Sequence, residues 1–236
     1  MPSQNLQRQM YGLTSSSHAQ RIVLAVLLAC WVAVCWYLLF GGGLALLSHH
    51  LLLEWEPGPV LRRALLAAAF SIYFIRVLFT VFVFLRRGMG WTEVFTIAPW
   101  VLCIFLLLAI LGGFNASPAG LLCFAGAALF LLGSWMNTWS EFQRHRWKLR
   151  PENKGRLYTL GLFRLARHPN YLGDLIAFAG LCLIAGRWIT AVVPVLMLAG
   201  FVFVNIPVLD AHLRAHYGPD FDAYAKRTPR LIPFLY

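Results

Sequence analysis

The chain has 236 residues, 60% of them hydrophobic and only 12% charged, with a mean hydropathy of +0.68. That balance excludes a soluble domain of this size and points to an integral membrane protein. A net charge of +11 has the sign of a nucleic-acid binder, but a chain this apolar does not fit that class.

Residues 1–21 are polar and carry Arg8 and Arg21. The apolar run behind them, about 22–48, is too long for a signal-peptide core and predicts an uncleaved first span. Further runs lie at about 61–85, 94–113 and 118–141. A closer pair at about 170–186 and 188–208 is split by Gly186-Arg187 and predicts a tight helical hairpin. The expectation is an all-α, polytopic integral membrane bundle of six to seven transmembrane helices, the seventh arising only if the first run is broken. Within that run Gly41-Gly42-Gly43 is expected to serve helix packing. With no internal repeat or low-complexity tract, residues 1–236 form one expected membrane domain. Four spans over 22–141 precede a loop, hairpin and tail over 142–236.

Six crossings put both termini on one side, and 16 of the 20 Lys and Arg fall there, eight of them within 144–167. Arg62, Arg63 and Arg187 fall on the other side, and Arg76 lies inside a span. The bias predicts cytoplasmic termini and a cytoplasmic basic loop, in the inner membrane if the cell is bacterial. The expected partners are membrane lipid and a lipophilic small molecule, with no nucleic acid. In the tail, residues 208–225 read as an amphipathic surface helix interrupted at Gly218-Pro219. The basic and then apolar KRTPRLIPFLY follows, and the tail is expected to fold back over the basic loop.

Polar groups inside spans are costly and mark candidate sites. Tyr73 and Arg76 are three apart and share a helix face, with Glu56 or Glu54 the expected partner of Arg76. Asn137 and Glu141, four apart, end the fourth run. The longest polar stretch, 151–174, reads PENKGRLYTLGLFRLARHPNYLGD. Arg156, Arg164, Arg167 and His168 supply donors suited to phosphate or carboxylate oxygens. His168-Pro169 makes a corner from which a helix can start, placing Asn170 and Tyr171 at its mouth and Asp174 one turn on. That arrangement suits an anionic cofactor at a membrane surface. His212 and His216 are four apart, but no HExxH or further histidine cluster accompanies them, so no metal is expected. The five cysteines all lie in apolar runs and read as reduced packing residues.

NKGRLYTLGLFRLARHPNYLGD and the ending DAHLRAHYGPDFDAYAKRTPRLIPFLY resemble the superfamily that joins steroid 5-alpha-reductases, sterol C14-reductases and isoprenylcysteine carboxyl methyltransferases. IYFIRVLFTVFVFLRRGMGWTE, WEPGP and WMNTWSEF resemble steroid 5-alpha-reductase segments in particular. The resemblance implies a substrate pocket among the four N-terminal spans, covered by cytoplasmic cofactor loops. It implies NADPH-dependent reduction of the delta-4 double bond of a 3-oxo steroid or similar lipophilic enone. Glu56 and Tyr73 would polarise the keto oxygen and Arg76 would stabilise that cluster. Asn137, Glu141, Lys148, Arg156, Arg167, His168, Asn170, Tyr171, Asp174, His212 and Tyr217 would surround NADPH. Asp174 is closer to the sterol C14-reductase pattern than to the glutamate usual in steroid reductases. The methyltransferase branch usually carries paired glutamates where this chain has Asp210-Ala211-His212. An S-adenosylmethionine-dependent isoprenylcysteine or lipid methyltransferase, and a non-catalytic sterol-binding membrane protein, stand as the alternatives.

Overall fold

The first apolar run does not make one span. In a computed structural model describing residues 17–233 and 235, it forms α1, His18–Phe40, and a short α2, Gly43–His50. Gly42 divides them at φ 86°, a left-handed conformation that a side chain resists. The glycine triplet therefore turns the chain, where helix packing was expected. The arginine-bearing leader before residue 17 lies outside the described residues. Next come α3, Val60–Phe79, which widens into a π turn at Thr80–Phe84, then α4, Trp91–Gly113, and α5, Leu121–Lys148. The hairpin follows as α6, Pro169–Ala185, and α7, Val192–Gly200, with a second π turn at Phe201–Asn205 leading into α8, Ile206–Tyr217. The tail closes with α9, Pro219–Arg227.

No strand occurs among the described residues. Among the described residues, five segments are long and apolar enough to cross a membrane: α1, α3 with its π turn, α4, α5 and the continuous stretch Trp188–Tyr217. The apolar α6 is shorter, at 17 residues or about 26 Å, and packs within the bundle beside α5. Many large apolar side chains, Leu121, Phe95 and Phe203 among them, face outward. A bilayer solvates such a surface where water does not.

The tightest packing joins α5 to α6, and four glycines explain it. Gly126 and Gly133 on α5 face Gly180 and Gly173 on α6, seven residues apart on each helix. A Cβ added at Gly173 would lie 2.7 Å from the Gly133 carbonyl oxygen and 2.7 Å from the Asn137 amide nitrogen. In a medium as apolar as the side chains, close backbone contact of this kind carries helix association.

At the far end of this pair a charge is used as mortar. Arg62 is only 3% exposed and donates to the carbonyls of Ile184, Ala185, Ser117 and Pro118. Asn115 donates to Ala185 and Gly186. These bonds satisfy the orphan carbonyls at the α6 C-terminus, and the cation complements the helix dipole there. Gly186, at φ 67°, makes the hairpin turn with a short 3-10 turn behind it.

At the basic end the tail folds back over the loop, as expected. The Arg167 amide donates to Pro229 and the His168 amide to Arg230. The Tyr224 hydroxyl donates to Phe163 across 2.6 Å. Asp210 of α8 ties these segments together, accepting from Arg167 at 2.7 Å and bonding the His168 ring at 3.0 Å. Burial holds the His168 ring below the usual histidine range, against the opposing pull of Asp210. The apolar plug rests on Leu231, which is fully buried; Phe234 and Tyr236 lie outside the described residues.

Two outcomes are expected. Gly173→Ala forces α5 and α6 apart and lowers the stability of the detergent-solubilised chain by about 1–3 kcal/mol, whereas Gly120→Ala, with nothing within 4 Å, stays within about 0.5 kcal/mol in a thermal-shift comparison. Since His168 has a lower pKa folded than unfolded, the unfolded chain binds more protons between that value and about 6.5. The latch should therefore hold above that window and loosen as pH falls through it, read as faster amide exchange at 163–168 and 224–231.

Candidate functional site

Between α3, α4, α5, α6 and α7 lies a cavity of about 580 Å³. Most of its wall is apolar: Leu24, Val77, Ile97, Val101, Phe178 and Met197 contribute. Its polar lining comes from Tyr73, Arg76, Thr80, Arg87, Glu93, Thr96, Asn137, Asp174 and Asn205. Residues of both π turns also line it, Thr80 and Val81 from one and Phe201 and Asn205 from the other. Such turns widen a helix locally and recur at functional sites.

The centre of the polar lining is a three-residue knot. Helical spacing places Tyr73 and Arg76 on one face of α3, and the guanidinium lies 4.8 Å from the centre of the phenol ring. Arg76 Nη1 meets Asp174 Oδ1 at 2.6 Å, joining α3 to α6. Phe105 and Phe178 pack edge-on against Tyr73, at 5.4 Å and 5.5 Å between ring centres. Arg76 is 7% exposed, and its Nε is buried without a partner. A buried arginine paired on one side only retains a donor for whatever enters.

Asn137 holds the mouth of α6. Its amide donates to the Asn170 carbonyl at 3.0 Å, tying the end of α5 to the first turn of α6. Tyr171, in that turn, stacks on Phe201 at 4.6 Å and on His168 at 5.4 Å. At the start of α4, Arg87 pairs with both carboxylate oxygens of Glu93, whose Oε2 also caps the Gly90 amide. Arg87, Glu93 and Asn205 were not singled out in the sequence. An arginine six residues before a glutamate at a span start was the available signal for the first two. Asn205 had none, because it falls in a run that reads as plain span.

The structure gathers some expected site residues and separates others. Tyr73, Arg76, Asn137 and Asp174 meet at the cavity. Glu56 does not: it is exposed, ahead of the first turn of α3, and Arg76 lies 16 residues beyond that helix start, about 24 Å along it. Neither Glu56 nor Glu54 is the partner of Arg76; Asp174 is, because the start of α6 packs against the end of α3 that carries Arg76, while the end of α6 meets Arg62. Glu141 is buried but pairs with Arg144 on its own helix. Lys148 donates to the Tyr217 hydroxyl at 3.1 Å, linking the ends of α5 and α8 at the basic end. Arg156 is exposed in the loop, and His212 stacks on His216 with ring centres 6.4 Å apart. Arg167 and His168 belong to the tail latch.

Among curated proteins, the chain is 31% identical over 91 residues to Protein-S-isoprenylcysteine O-methyltransferase B of Arabidopsis thaliana, covering 39% of this chain and 46% of that protein. It is 38% identical over 98 residues to the Probable O-methyltransferase ustE of Ustilaginoidea virens, covering 40% and 34%. It is 29% identical over 167 residues to the Delta(14)-sterol reductase erg24 of Schizosaccharomyces pombe, covering 63% and 39%. The chain thus spans about a third to a half of the length of these relatives. Two of the three branches of the resembled superfamily are represented, the methyltransferases and the sterol C14-reductases, and none of these names is a steroid 5-alpha-reductase. Residues 89–228, from the turn before α4 to the end of α9, match the model of the Protein of unknown function (DUF1295) family, and the chain belongs to that family.

Proposed function

We propose that the chain is a membrane-embedded enzyme acting on a lipophilic small molecule, and that its reaction is NADPH-dependent reduction of the delta-4 double bond of a 3-oxo steroid or related enone. The observation that carries this reading is the Tyr73–Arg76–Asp174 knot in the wall of an otherwise apolar cavity. An apolar chamber suits a sterol-like body, and a few placed polar groups suit its one oxygen. The basic end is taken as cytoplasmic, following the arginine bias, in the inner membrane if the cell is bacterial.

The donor set fits an anionic nucleotide. Arg76, with its unpartnered Nε, Arg87 and Asn137 line the cavity, and Lys148, Arg156 and Tyr217 lie at the same end of the bundle. These residues would hold NADPH, which would supply the hydride. When the enone beta carbon accepts it, negative charge builds on the keto oxygen. Tyr73, whose phenol lines the cavity, would donate to that oxygen. Arg76, over its ring, orients the phenol and favours the developing charge, while Asp174 keeps the guanidinium in place. Phe105 and Phe178 restrict the phenol, and the surrounding aliphatic wall excludes water. Glu56 has no part in this chemistry, because it sits near the opposite end of α3.

A second reading, S-adenosylmethionine-dependent methylation of an isoprenylcysteine or other lipid, is supported by the names of the methyltransferase relatives. Against it, the helix that would carry the usual paired glutamates has Asp210, which is committed to the latch.

The discriminating experiment incubates the purified chain with NADPH and progesterone, or with S-adenosylmethionine and farnesylcysteine. Loss of nicotinamide absorbance only when the enone is present is the expected result. Methyl incorporation would replace this reading with the second, and ligand binding without turnover in either arm would leave a binding protein. Tyr73→Phe should lower kcat by about 10²–10³-fold, as loss of a single oxyanion donor does, and Glu56→Gln should leave it unchanged. Asp174→Asn strands a buried cation and should cost about 3–5 kcal/mol of stability by chemical denaturation.

A further inference from the structure

A second cavity, of about 570 Å³, lies under the tail and shares no residue with the first. Arg164, Arg167, Lys226, Arg227 and Arg230 line it, and no acidic residue does. Arg164, Lys226 and Arg227 are exposed and make no ion pair among the described residues. Arg167, which Asp210 holds by one nitrogen, is 9% exposed, and its Nε is buried with no partner. Asp210 offsets Arg167 and, at 3.8 Å, Arg230, which leaves Arg164, Lys226 and Arg227 around the hollow with no acid in its lining, a concentration of positive charge that an anion would relieve.

The anion is identified by its surroundings. Two apolar side chains, Leu165 and Leu235, belong to the same lining and are largely exposed, Leu235 by 83%. Arg167 stands two residues before Pro169, where the apolar α6 begins, so the cavity lies beside the end of an apolar helix. Guanidinium forks suit phosphate oxygens, and leucines beside them suit acyl chains. We propose that this cavity is a binding site for the phosphate headgroup of an anionic phospholipid, separate from the reaction cavity. A lipid seated there bridges the loop at 164–167 to the tail at 225–230 and fastens the latch from its open side.

The site is tested on the full chain purified in a neutral detergent. Dioleoylphosphatidylglycerol, dioleoylphosphatidylcholine and inorganic phosphate are added separately and apparent affinity is read by thermal shift. Phosphatidylglycerol should stabilise the chain and the other two should not. Arg164→Gln/Arg227→Gln, both exposed and outside the latch bonds, should weaken the phosphatidylglycerol effect roughly 30-fold. Arg146→Gln/Arg150→Gln, the same charge change elsewhere on the basic end, should leave it intact. Equal stabilisation by phosphatidylcholine, or by inorganic phosphate, would overturn the headgroup assignment. So would equal loss in both double variants, which would mean a diffuse charge effect. A loss of NADPH affinity in the Arg164→Gln/Arg227→Gln chain would reassign the cavity to the cofactor, whereas failure of the reductase reading alone leaves the lipid outcome unaffected.

Discussion

The approach of α5 to α6 sets the position of everything functional in this chain. Gly126, Gly133, Gly173 and Gly180 let the two backbones touch, and a contact made by backbone atoms tolerates little sliding. Gly173 meets the amide of Asn137, and Asn137 in turn bonds the first turn of α6. The next residue, Asp174, is thereby held toward α3, where it finds Arg76. The cavity, the knot in its wall and the mouth of α6 all inherit their registration from four residues that have no side chain.

Among the described residues three buried arginines divide the remaining work, and each is satisfied in a different way. Arg62 is surrounded by carbonyl oxygens at a helix end, Arg76 faces one carboxylate beside a phenol, and Arg167 is locked to Asp210 under the tail. Removing a guanidinium from water costs several kcal/mol, so each needs partners that the fold supplies in advance. Arg62 is fully employed in building the bundle apart from its Nε. Arg76 and Arg167 also keep an Nε without a partner, and each lines a hollow large enough for a ligand. Buried, half-satisfied cations beside cavities distinguish the two candidate sites from the structural joint at the other end.

The loss of Glu56 from the site changes the chemistry that can be assigned. A carboxyl group beside Tyr73 would have offered a second donor to the substrate oxygen, provided it stayed protonated. The cavity offers instead a phenol whose neighbour is a guanidinium neutralised by Asp174. Under the proposed reduction, transition-state stabilisation would rest on one hydroxyl and on the field of an ion pair in a mostly apolar cavity, where fixed dipoles act strongly. The same ion pair joins α3 to α6, so the proposed chemistry would draw on a contact that also holds the bundle together.

Hydrophobic run length determined the membrane bundle and most of its helix positions, though not the break in the first run, and Gly186 marked the hairpin, because the bilayer permits a backbone little besides a helix of sufficient length. The break at Gly218 and the fold-back of the tail were also legible, from glycine, proline and an amphipathic stretch. Residue identity likewise marked Tyr73, Arg76, Asn137 and Asp174, since polar groups in apolar runs are too costly to be incidental. What only the tertiary structure decided was who meets whom. Arg76 had an acid on either side of it in sequence, Glu56 before and Asp174 long after, and spacing along one helix says nothing about which neighbour packs against which end. Gly41–Gly43 could pack or turn, and Arg62 could face water or carbonyls, for the same reason: a one-dimensional pattern records the cost of burying a group, while the partner that offsets it comes from another helix.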